Sequence, residues 1–437
     1  MTKKKSGPPP GPTKTFKYGM PIYGLAWPEG TTFYVCGGGG SVSSGIKNRL
    51  VCAEADNGTL TDQIAEYQFG LKCPMRLAIT PGGKSILFAI GNGGIQRLDV
   101  EQRGKVPRFI EITGSLEERL NSIIHDVKAI AFHPSGDYVA LGAEDGSIAV
   151  YEWPSLKVKL DLSGTRRISV EAIKDLDFVP HTPATEARSQ VSSRAAVVKA
   201  LMVILDDGSA VALDVDNGGA VLSRVKLSTK GDLKNDKVML ISSNERLLLH
   251  HLPPGMERAE FSRVKCRALQ GARSPLTCLM NNRNGCHVGL WELGDDGLLS
   301  MRAACKAADA AGACMDVSAD GSLVAVGTSE GDVVLLGCRP YLRVVKRFPR
   351  AHMVFTTNIT FNKEATYVLS SSLDASATVN STALPQPADF KKILVIIMLF
   401  ITAILMCLLQ LVRVLKKRGM TMAEIYALAG LRPREEL

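Results

Sequence analysis

The chain has 437 residues, 46% of them hydrophobic and 22% charged, which suits one large domain or two smaller ones and excludes a disordered protein. Its net charge of +9 is carried by the ends, since residues 1–20 hold five lysines and no acid, and residues 389–437 hold eight basic and four acidic residues. The neutral body between them has no excess charge to drive binding to nucleic acid, so no nucleic-acid partner is expected.

Residues 1–18 are rich in lysine, proline and glycine and are predicted to form a disordered basic arm. They lack the apolar core of a signal peptide, so the domain that follows is expected to stay on the cytosolic side. The ten cysteines agree with this, because they contain no C-x-x-C pair and no His cluster at zinc spacing. Most lie in apolar stretches, as free thiols do in a reducing compartment.

The first blade-like unit contains a long glycine-rich loop, from Cys36 to Leu50, with four consecutive glycines at 37–40. A two-residue turn would be enough to join the two strands there. Glycines let another backbone or an ion approach closely, and a long loop in a compact unit is typically functional. Ile46 offers an apolar anchor and Asn48 a polar group, whereas a merely flexible surface loop is the alternative.

An internal repeat sets the predicted fold. Leu77–Leu98 aligns with Ile130–Tyr151, and both read strand, turn, strand, turn, strand. The prolines Pro28, Pro81 and Pro134 are 53 residues apart, two further copies begin at Met315 and Ile359, and residues 180–315 leave room for two degenerate copies. Trp153 and Trp291 stand where WD repeats often carry tryptophan. We therefore predict an all-β, seven-bladed WD-repeat β-propeller over residues 19–388.

No catalytic motif stands in a suitable context. Gly327–Gly331 matches G-x-S-x-G, but that motif needs a strand-to-helix turn, and here the flanking residues read as two strands. Ser329 is therefore predicted in a hairpin turn. The chain also lacks a P-loop and an H-E-x-x-H motif, so we expect no catalytic residue and no enzyme chemistry of its own.

Residues 393–412 form an uncharged apolar run that predicts a single transmembrane helix, followed by a tail over 413–437. The positive charges after the run would place the tail in the cytosol. We expect it in the lumen instead, because moving the large domain without a signal sequence is harder. The final Arg434-Glu-Glu-Leu437 resembles endoplasmic-reticulum retrieval signals. Sequons at Asn57, Asn358 and Asn380 provide a topology check.

These features together resemble the Sec-twelve family, also called prolactin regulatory element-binding proteins. The matching residues are Gly37–Gly40 followed by Gly45-Ile-Lys-Asn-Arg-Leu50, and Pro74-Met-Arg-Leu-Ala-Ile-Thr-Pro81. The resemblance implies an endoplasmic-reticulum exchange factor that releases GDP from the small GTPase Sar and starts COPII coat assembly, with other COPII components as possible partners. It places the exchange loop at Gly37, Gly38, Gly39, Gly40, Gly45, Ile46, Asn48 and Arg49, with Pro74 beside it.

The resemblance also implies a potassium ion held by the loop backbone near Gly37–Gly40 and Asn48. Carbonyl oxygens are suitable ligands for such a cation. Asn48 would then fix the shape of the loop or bond to the backbone of the partner. The alternative is a non-catalytic accessory protein for cargo exit, similar to the plant phosphate-transporter traffic facilitators. A DNA-binding regulator is disfavoured by the neutral body.

Overall fold

The structure is a computed structural model. The structure describes residues 14–40, 44–91, 93–103, 106–181, 197–228, 237–242, 247–251, 256, 258–267, 275–294, 297–384, 390–421 and 424–425. The described strands form seven sheets, which confirms the predicted seven-bladed β-propeller. A single apolar helix follows it, and the chain divides into two units at 383/384.

The strands follow one another around the ring. The N-terminal strand is β1 (Thr15–Lys17). Blade 1 contains β2 (Ile22–Glu29), β3 (Thr32–Gly37), β4 (Asn48–Asp56), β5 (Thr59–Leu60) and β6 (Ala65–Gly70). Blade 2 contains β7 (Cys73–Ile79), β8 (Ser85–Gly91), β9 (Ile95–Arg103) and β10 (Val106–Ile112). After a short helix α1 (Ser115–Ile123), blade 3 contains β11 (Val127–Phe132), β12 (Tyr138–Ala143), β13 (Ile148–Glu152) and β14 (Val158–Leu162).

The second half of the ring starts after a single 3-10 turn at Gly164–Arg166. Blade 4 contains β15 (Ile173–His181), β16 (Val197–Leu205), β17 (Ala210–Asp214), β18 (Ala220–Ser228), β19 (Lys237–Ser242) and β20 (Leu247–His251). Blade 5 contains β21 (Glu260–Lys265), β22 (Pro275–Asn282), β23 (Gly285–Leu293) and β24 (Leu299–Ala308). Blade 6 contains β25 (Gly312–Val317), β26 (Leu323–Thr328), β27 (Val333–Gly337) and β28 (Arg343–Phe348). Blade 7 contains β29 (Thr356–Phe361), β30 (Tyr367–Ser372) and β31 (Ser376–Ser381).

The ring closes through its N-terminal strand. β1 pairs antiparallel with β31, with Thr15 opposite Thr378, and so supplies the fourth strand of blade 7. The prediction of a disordered arm through residue 18 is therefore wrong for Thr15–Lys17, while residues 1–13 lie outside the described residues. Pairing at a sheet edge compensates the entropy that a free arm would keep, because backbone donors and acceptors find partners there.

The hydrophobic core lies between the blades. Seven clusters of buried residues each contain side chains from two neighbouring blades, as with Phe33 and Val379 between blades 1 and 7. The spaced prolines belong to the same packing: a Cβ at Gly83 would lie 3.5 Å from Pro28 Cγ, and one at Gly136 would lie 3.8 Å from Pro81. The 53-residue spacing of the prolines thus corresponds to a repeated contact, in which the turn of one blade packs on the proline of the preceding blade.

Blade 7 carries a buried histidine network. The ring nitrogens of His352 lie 2.9 Å from Ser376 Oγ and 2.8 Å from Ser370 Oγ. Asp374 accepts hydrogen bonds from the backbone N–H of Ser376 and of Met353. Burial lowers the pKa of His352 to about 4, with Asp374 acting in the opposite direction. The neutral imidazole therefore links the loop before β29 to the turn between β30 and β31.

Ser329 lies in the hairpin turn between β26 and β27, as predicted, with its N–H bonded to the carbonyl of Ala311. All ten cysteines are free thiols, and they are buried except for Cys305, which is partly exposed, and Cys407, which is exposed.

The C-terminal unit contains one long helix, α2 (Phe390–Lys417). Within it, Ile397–Lys417 is long and apolar enough to cross a membrane, and most of its apolar side chains are exposed. The predicted span of 393–412 thus overlaps the candidate span, which extends further toward the C-terminus. The Arg434–Leu437 signal lies outside the described residues.

Candidate functional site

The glycine-rich loop joins β3 to β4 in blade 1. Gly37 still belongs to the sheet, opposite Ile22 on one side and Arg49 on the other. The connection runs over residues 38–47, and its central residues 41–43 lie outside the described residues. The described parts, 37–40 and 44–49, form the two stems of the loop.

The first glycines are required because neighbouring atoms fill the space of a side chain. A Cβ at Gly38 would lie 2.1 Å from Asn48 Oδ1, and one at Gly39 would lie 1.8 Å from Ser44 Oγ. Both distances are shorter than any real contact of a Cβ atom. The two stems of the loop therefore pack directly against each other, backbone to side chain, and any larger residue would push them apart.

Gly40 and Gly45 are required for backbone conformation alone, a requirement that Gly38, with a φ of +154°, has in addition to close packing. Their φ angles are +92° and +76°, in the left-handed region where a side chain is strained, and nothing lies within 4 Å of an added Cβ. The loop thus uses glycine for close packing at its base and for backbone conformation further out.

Asn48 holds the loop together. It is only 4% exposed, and its amide forms a two-way bond with Gly40: Gly40 N–H donates to Oδ1 at 3.2 Å, and Nδ2 donates to the Gly40 carbonyl at 2.9 Å. Nδ2 also donates to the carbonyl of Gly70 at 3.1 Å. Because both amide hydrogens are used within the chain, Asn48 fixes the shape of the loop. Of the two roles expected for it, this is the one that the hydrogen bonds favour.

Ile46 points away from this base and is 41% exposed. Its N–H lies 3.4 Å from Ser44 Oγ, a long contact within the second stem. Lys47 beside it is exposed. The loop therefore presents an apolar side chain to solvent on a backbone that Asn48 and the glycines hold in place.

Arg49 and Pro74 lie at the base of the loop and are not presented to solvent in the same way. The Arg49 guanidinium is 2.7 Å from Glu66 and 3.0 Å from Gln63, and it also donates to the carbonyl of Tyr18. Pro74 is buried in β7, where its carbonyl accepts a 3.8 Å hydrogen bond from the Cys36 thiol. Both residues connect the loop to its surroundings, Arg49 toward the N-terminal strand and Pro74 toward blade 2.

Known proteins resemble this chain in sequence and in fold. The family model for the WD domain, G-beta repeat, matches residues 118–152, which contain the C-terminal part of α1 and β11–β13. SEC12-like protein 2 of Arabidopsis thaliana is 23% identical over 356 residues, covering 79% of this chain and 74% of that protein. The chain is similar to a Sec12-like WD-repeat propeller. At 23% identity the likeness supports a Sec12-like WD-repeat propeller, but it does not show which activity this chain has.

Solved structures agree on the fold alone. Sqt1 from Chaetomium thermophilum, bound to the N-terminus of ribosomal protein L10, has a TM-score of 0.57 at 13% identity, covering 85% of this chain and 98% of that chain. Raptor from the same organism has a TM-score of 0.56 at 10% identity, covering 85% of this chain and 29% of that chain.

Two exposed apolar residues beside the loop were missed by sequence reasoning. Leu71 is 75% exposed and Met75 38% exposed. Leu71 follows Gly70, whose carbonyl Asn48 binds, and the Met75 sulfur lies 3.8 Å from the Cys73 thiol. In the sequence both residues resemble ordinary core positions next to a strand, so their exposure gave no separate signal.

The residues at the loop suit a monovalent cation better than a divalent one. Residues 37–50 contain no acid, and the described residues contain no group of three His, Cys, Asp or Glu that could hold a metal. No described residue donates a hydrogen bond to the carbonyl oxygens of Gly38 and Gly39. Neutral carbonyl oxygens are the ligands that replace water around potassium.

Proposed function

We propose that this chain is a guanine-nucleotide exchange factor for the small GTPase Sar, acting at the endoplasmic reticulum membrane. The observation that carries the proposal is the blade-1 loop, in which Asn48 and the packed glycines hold a fixed backbone with Ile46 exposed. The likeness to SEC12-like protein 2 supports the same choice.

The loop would act by binding one state of the GTPase better than another. A protein shifts an equilibrium only by its difference in affinity for the two states, so the loop must favour the nucleotide-free form. A thousandfold acceleration of GDP release requires a difference of about 4 kcal/mol. A preformed loop contributes to this difference because little entropy is lost when it enters the partner.

Each part of the loop has its own role in this proposal. Gly38 and Gly39 allow close approach of the two backbones, and Asn48 keeps the stems at their spacing. Ile46 would pack against an apolar surface of the GTPase, displacing the switch segments that hold nucleotide and Mg²⁺. No covalent step involves the propeller, so it would be a regulator of another enzyme.

A potassium ion fits the proposal as a support for the loop. The carbonyl oxygens of Gly38 and Gly39 would hold it, and when bound it would supply a fixed positive charge that orders those carbonyls. The contribution of the chain itself is the placement of these carbonyls by the Asn48 hydrogen bonds to Gly40 and Gly70.

The helix α2 would keep exchange on one membrane. We propose that Ile397–Lys417 crosses the endoplasmic reticulum bilayer once, with the propeller cytosolic and the tail lumenal. GTP loading next to the bilayer favours insertion of the amphipathic helix of such a GTPase, from which COPII assembly and transport to the Golgi would begin.

Glycosylation tests this orientation. Asn57 lies exposed in a turn, while the Asn358 amide donates to the Tyr23 carbonyl at 2.6 Å, so Asn57 is the more accessible sequon. We expect no glycan on the wild-type propeller and efficient modification of a sequon fused after Leu437. A glycan at Asn57 would refute the cytosolic placement.

Exchange is tested with the full chain in detergent micelles, by the rate of fluorescent-GDP release from Sar. Asn48→Ala is expected to slow release by tenfold or more, since the loop loses three hydrogen bonds, each worth about 1 kcal/mol. Asn281→Ala is the matched control: its amide makes the same two-way bond to Gly312, at 2.8 and 2.9 Å, between blades 5 and 6. It should lose similar stability and keep the exchange rate.

Two further outcomes separate the alternatives. Faster release in potassium than in sodium, absent in Asn48→Ala, would support the ion at the loop. If the wild-type chain binds Sar or cargo but accelerates release no more than buffer does, the exchange proposal fails and the accessory role in cargo exit takes its place.

A further inference from the structure

The chain leaves the propeller only a short distance before the apolar helix. Strand β31, the third strand of blade 7, ends at Ser381, and α2 begins at Phe390. Six residues, 384–389, separate Ala383 from Phe390, so fully extended chain spans at most about 25 Å between them. If α2 crosses the bilayer, as proposed above, the surface around Ala383 is held within reach of the lipid headgroups.

Blade 6 provides the surface beside this exit. Lys346 on β28 donates from Nζ to the carbonyls of Ser381 and Ala383, at 2.8 Å each. These two bonds fasten the outer strand of blade 6 to the end of blade 7. Toward its start, β28 leads through Arg343 into the turn at 338–342, which connects it to β27.

This turn presents an aromatic ring and two arginines. Tyr341 is 65% exposed, and Cζ of Arg343 lies 4.9 Å from the centre of its ring. The Arg343 guanidinium also donates to the carbonyl of Arg339 at 3.3 Å, and Arg339 itself is exposed. Tyrosine combines an apolar ring with a polar tip and is enriched where membrane and water meet. Arg339, Tyr341 and Arg343 are called the blade-6 patch below.

The patch lies in a basic part of the surface. Residues 338–350 contain five basic residues and no acid. Among the described residues, no ion pair joins Arg343 or Lys346 to an acid. The acids Asp320 and Glu364, on neighbouring turns, each accept a hydrogen bond within their own turn. The positive charge beside the exit is therefore available to an anionic partner.

The N-terminal strand adds a further base at the same place. Lys14 is exposed, and its carbonyl accepts the N–H of Val379 near the end of β31. In the sequence, lysines also stand at 3–5 ahead of it and at 391–392, just before the apolar run. Basic residues thus precede and follow the exit along the chain, and those of blade 6 reach it through the fold.

We propose that the blade-6 patch binds the anionic lipid headgroups of the membrane that α2 crosses. Arginine forks match the oxygens of a phosphate group, frequently as bidentate pairs. The ring of Tyr341 would lie at the level of the headgroups. Each basic side chain held near an anionic leaflet strengthens binding about fivefold. The contact would hold the edge of blade 6 on the bilayer, and it does not require exchange activity.

Quenching of tryptophan fluorescence by lipid tests this contact. The full chain is placed in nanodiscs that contain lipids with a nitroxide near the top of the acyl chain. The lipids are either phosphatidylcholine alone or equal parts phosphatidylcholine and phosphatidylserine. Tyr341→Trp puts a probe in the patch, and the wild type gives the background of the three native tryptophans. We expect quenching of the added tryptophan to be several-fold stronger with phosphatidylserine, and Arg339→Gln with Arg343→Gln should abolish this difference.

Two matched controls test position and charge. Val170 is 77% exposed and precedes β15, the first strand of blade 4. It therefore lies on the opposite face from the turn between the third and fourth strands of blade 6, and Val170→Trp should be quenched equally in both lipid mixtures. Arg108 is exposed on β10 in blade 2, so Arg108→Gln should leave the response of Tyr341→Trp unchanged.

Phe400→Trp separates this proposal from the membrane span on which it depends. Phe400 lies near the start of the candidate span, so a tryptophan there should be quenched in both lipid mixtures. Quenching at 400, together with weak and equal quenching at 341 in the two mixtures, would overturn the patch and leave the span intact. Absence of quenching at 400 would overturn both. Neither outcome affects the exchange assay, which is made in detergent micelles.

Discussion

The second and third strands of a blade are joined in two different ways in this propeller. In blade 7 the connection spans residues 373–375, and Asp374 fastens it through the backbone N–H groups of Ser376 and Met353. In blade 1 the equivalent connection spans residues 38–47. There the fastening comes from one amide, Asn48, which bonds to backbone groups of Gly40 and Gly70.

The blade-7 connection stabilises the fold, whereas the blade-1 connection also presents a side chain to solvent. The blade-7 turn is tied to a buried His352, so its polar groups are satisfied internally and serve the fold. The blade-1 loop satisfies its base in the same manner but leaves Ile46 exposed above it. A propeller needs only the first arrangement to close its ring. The second adds a protrusion, which is why we place the partner-binding role there.

The largest expected effect lies on the blade-7 side of the comparison and depends on pH. His352 has a folded-state pKa of about 4 against an ordinary value of 6.5. The unfolded chain therefore takes up this proton first as pH falls. The stability that the neutral ring provides is complete above pH 6.5 and is lost progressively down to about pH 4, by about 3 kcal/mol.

Urea unfolding of the full chain at several pH values measures this loss. His352→Gln keeps a hydrogen-bonding side chain without the titration, so it should be less stable at pH 7 but show a flatter profile between pH 6.5 and 4. Its exchange rate per folded molecule should equal that of the wild type. Parallel pH profiles for the two proteins would show that His352 does not control this region.

The second effect lies within the loop and compares two glycines. Gly38→Ala places a Cβ 2.1 Å from Asn48 Oδ1, so it must disturb the hydrogen bonds between Asn48 and Gly40, and it also carries the strain of a φ of +154°. Gly45→Ala meets nothing within 4 Å and carries only the strain of its positive φ. Strain of this kind costs about 1–3 kcal/mol. We expect Gly38→Ala to reduce Sar exchange roughly thirtyfold and Gly45→Ala clearly less. Equal losses would mean that backbone conformation, and not packing against Asn48, determines the activity.

Sequence alone could predict the features of this molecule that repeat or persist along the chain. The prolines, the strand patterns and the apolar run at 393–412 repeat or persist over many residues, so they predicted the propeller and the single helix. The glycine run predicted the loop, because consecutive glycines are unfavourable inside a strand.

The contacts that individual side chains make were not predictable in the same way. Arg49 lies in a motif that suggests partner binding, yet its guanidinium is occupied by Glu66 and the Tyr18 carbonyl, which are distant in sequence. Arg76 and Arg263 each follow a β-bulge that sets which way an inner strand faces, in two separate blades. Such positions depend on register and on contacts across the ring, which local patterns do not encode.

The smallest expected effect concerns Ile46. It tests whether an exposed apolar side chain on the loop contributes more to exchange than an exposed apolar side chain elsewhere on the propeller. Ile46 is 41% exposed, so truncation to alanine should leave the Tm almost unchanged, while it removes apolar area that the partner would bury. A loss of about 1.4 kcal/mol in the free energy of binding to the partner corresponds to a tenfold slower release of GDP. Val170→Ala is the matched control, because Val170 is 77% exposed ahead of β15 in blade 4. If both variants exchange at the wild-type rate, the apolar anchor is not Ile46, and the exposed Leu71 and Met75 beside the loop become the residues to truncate next.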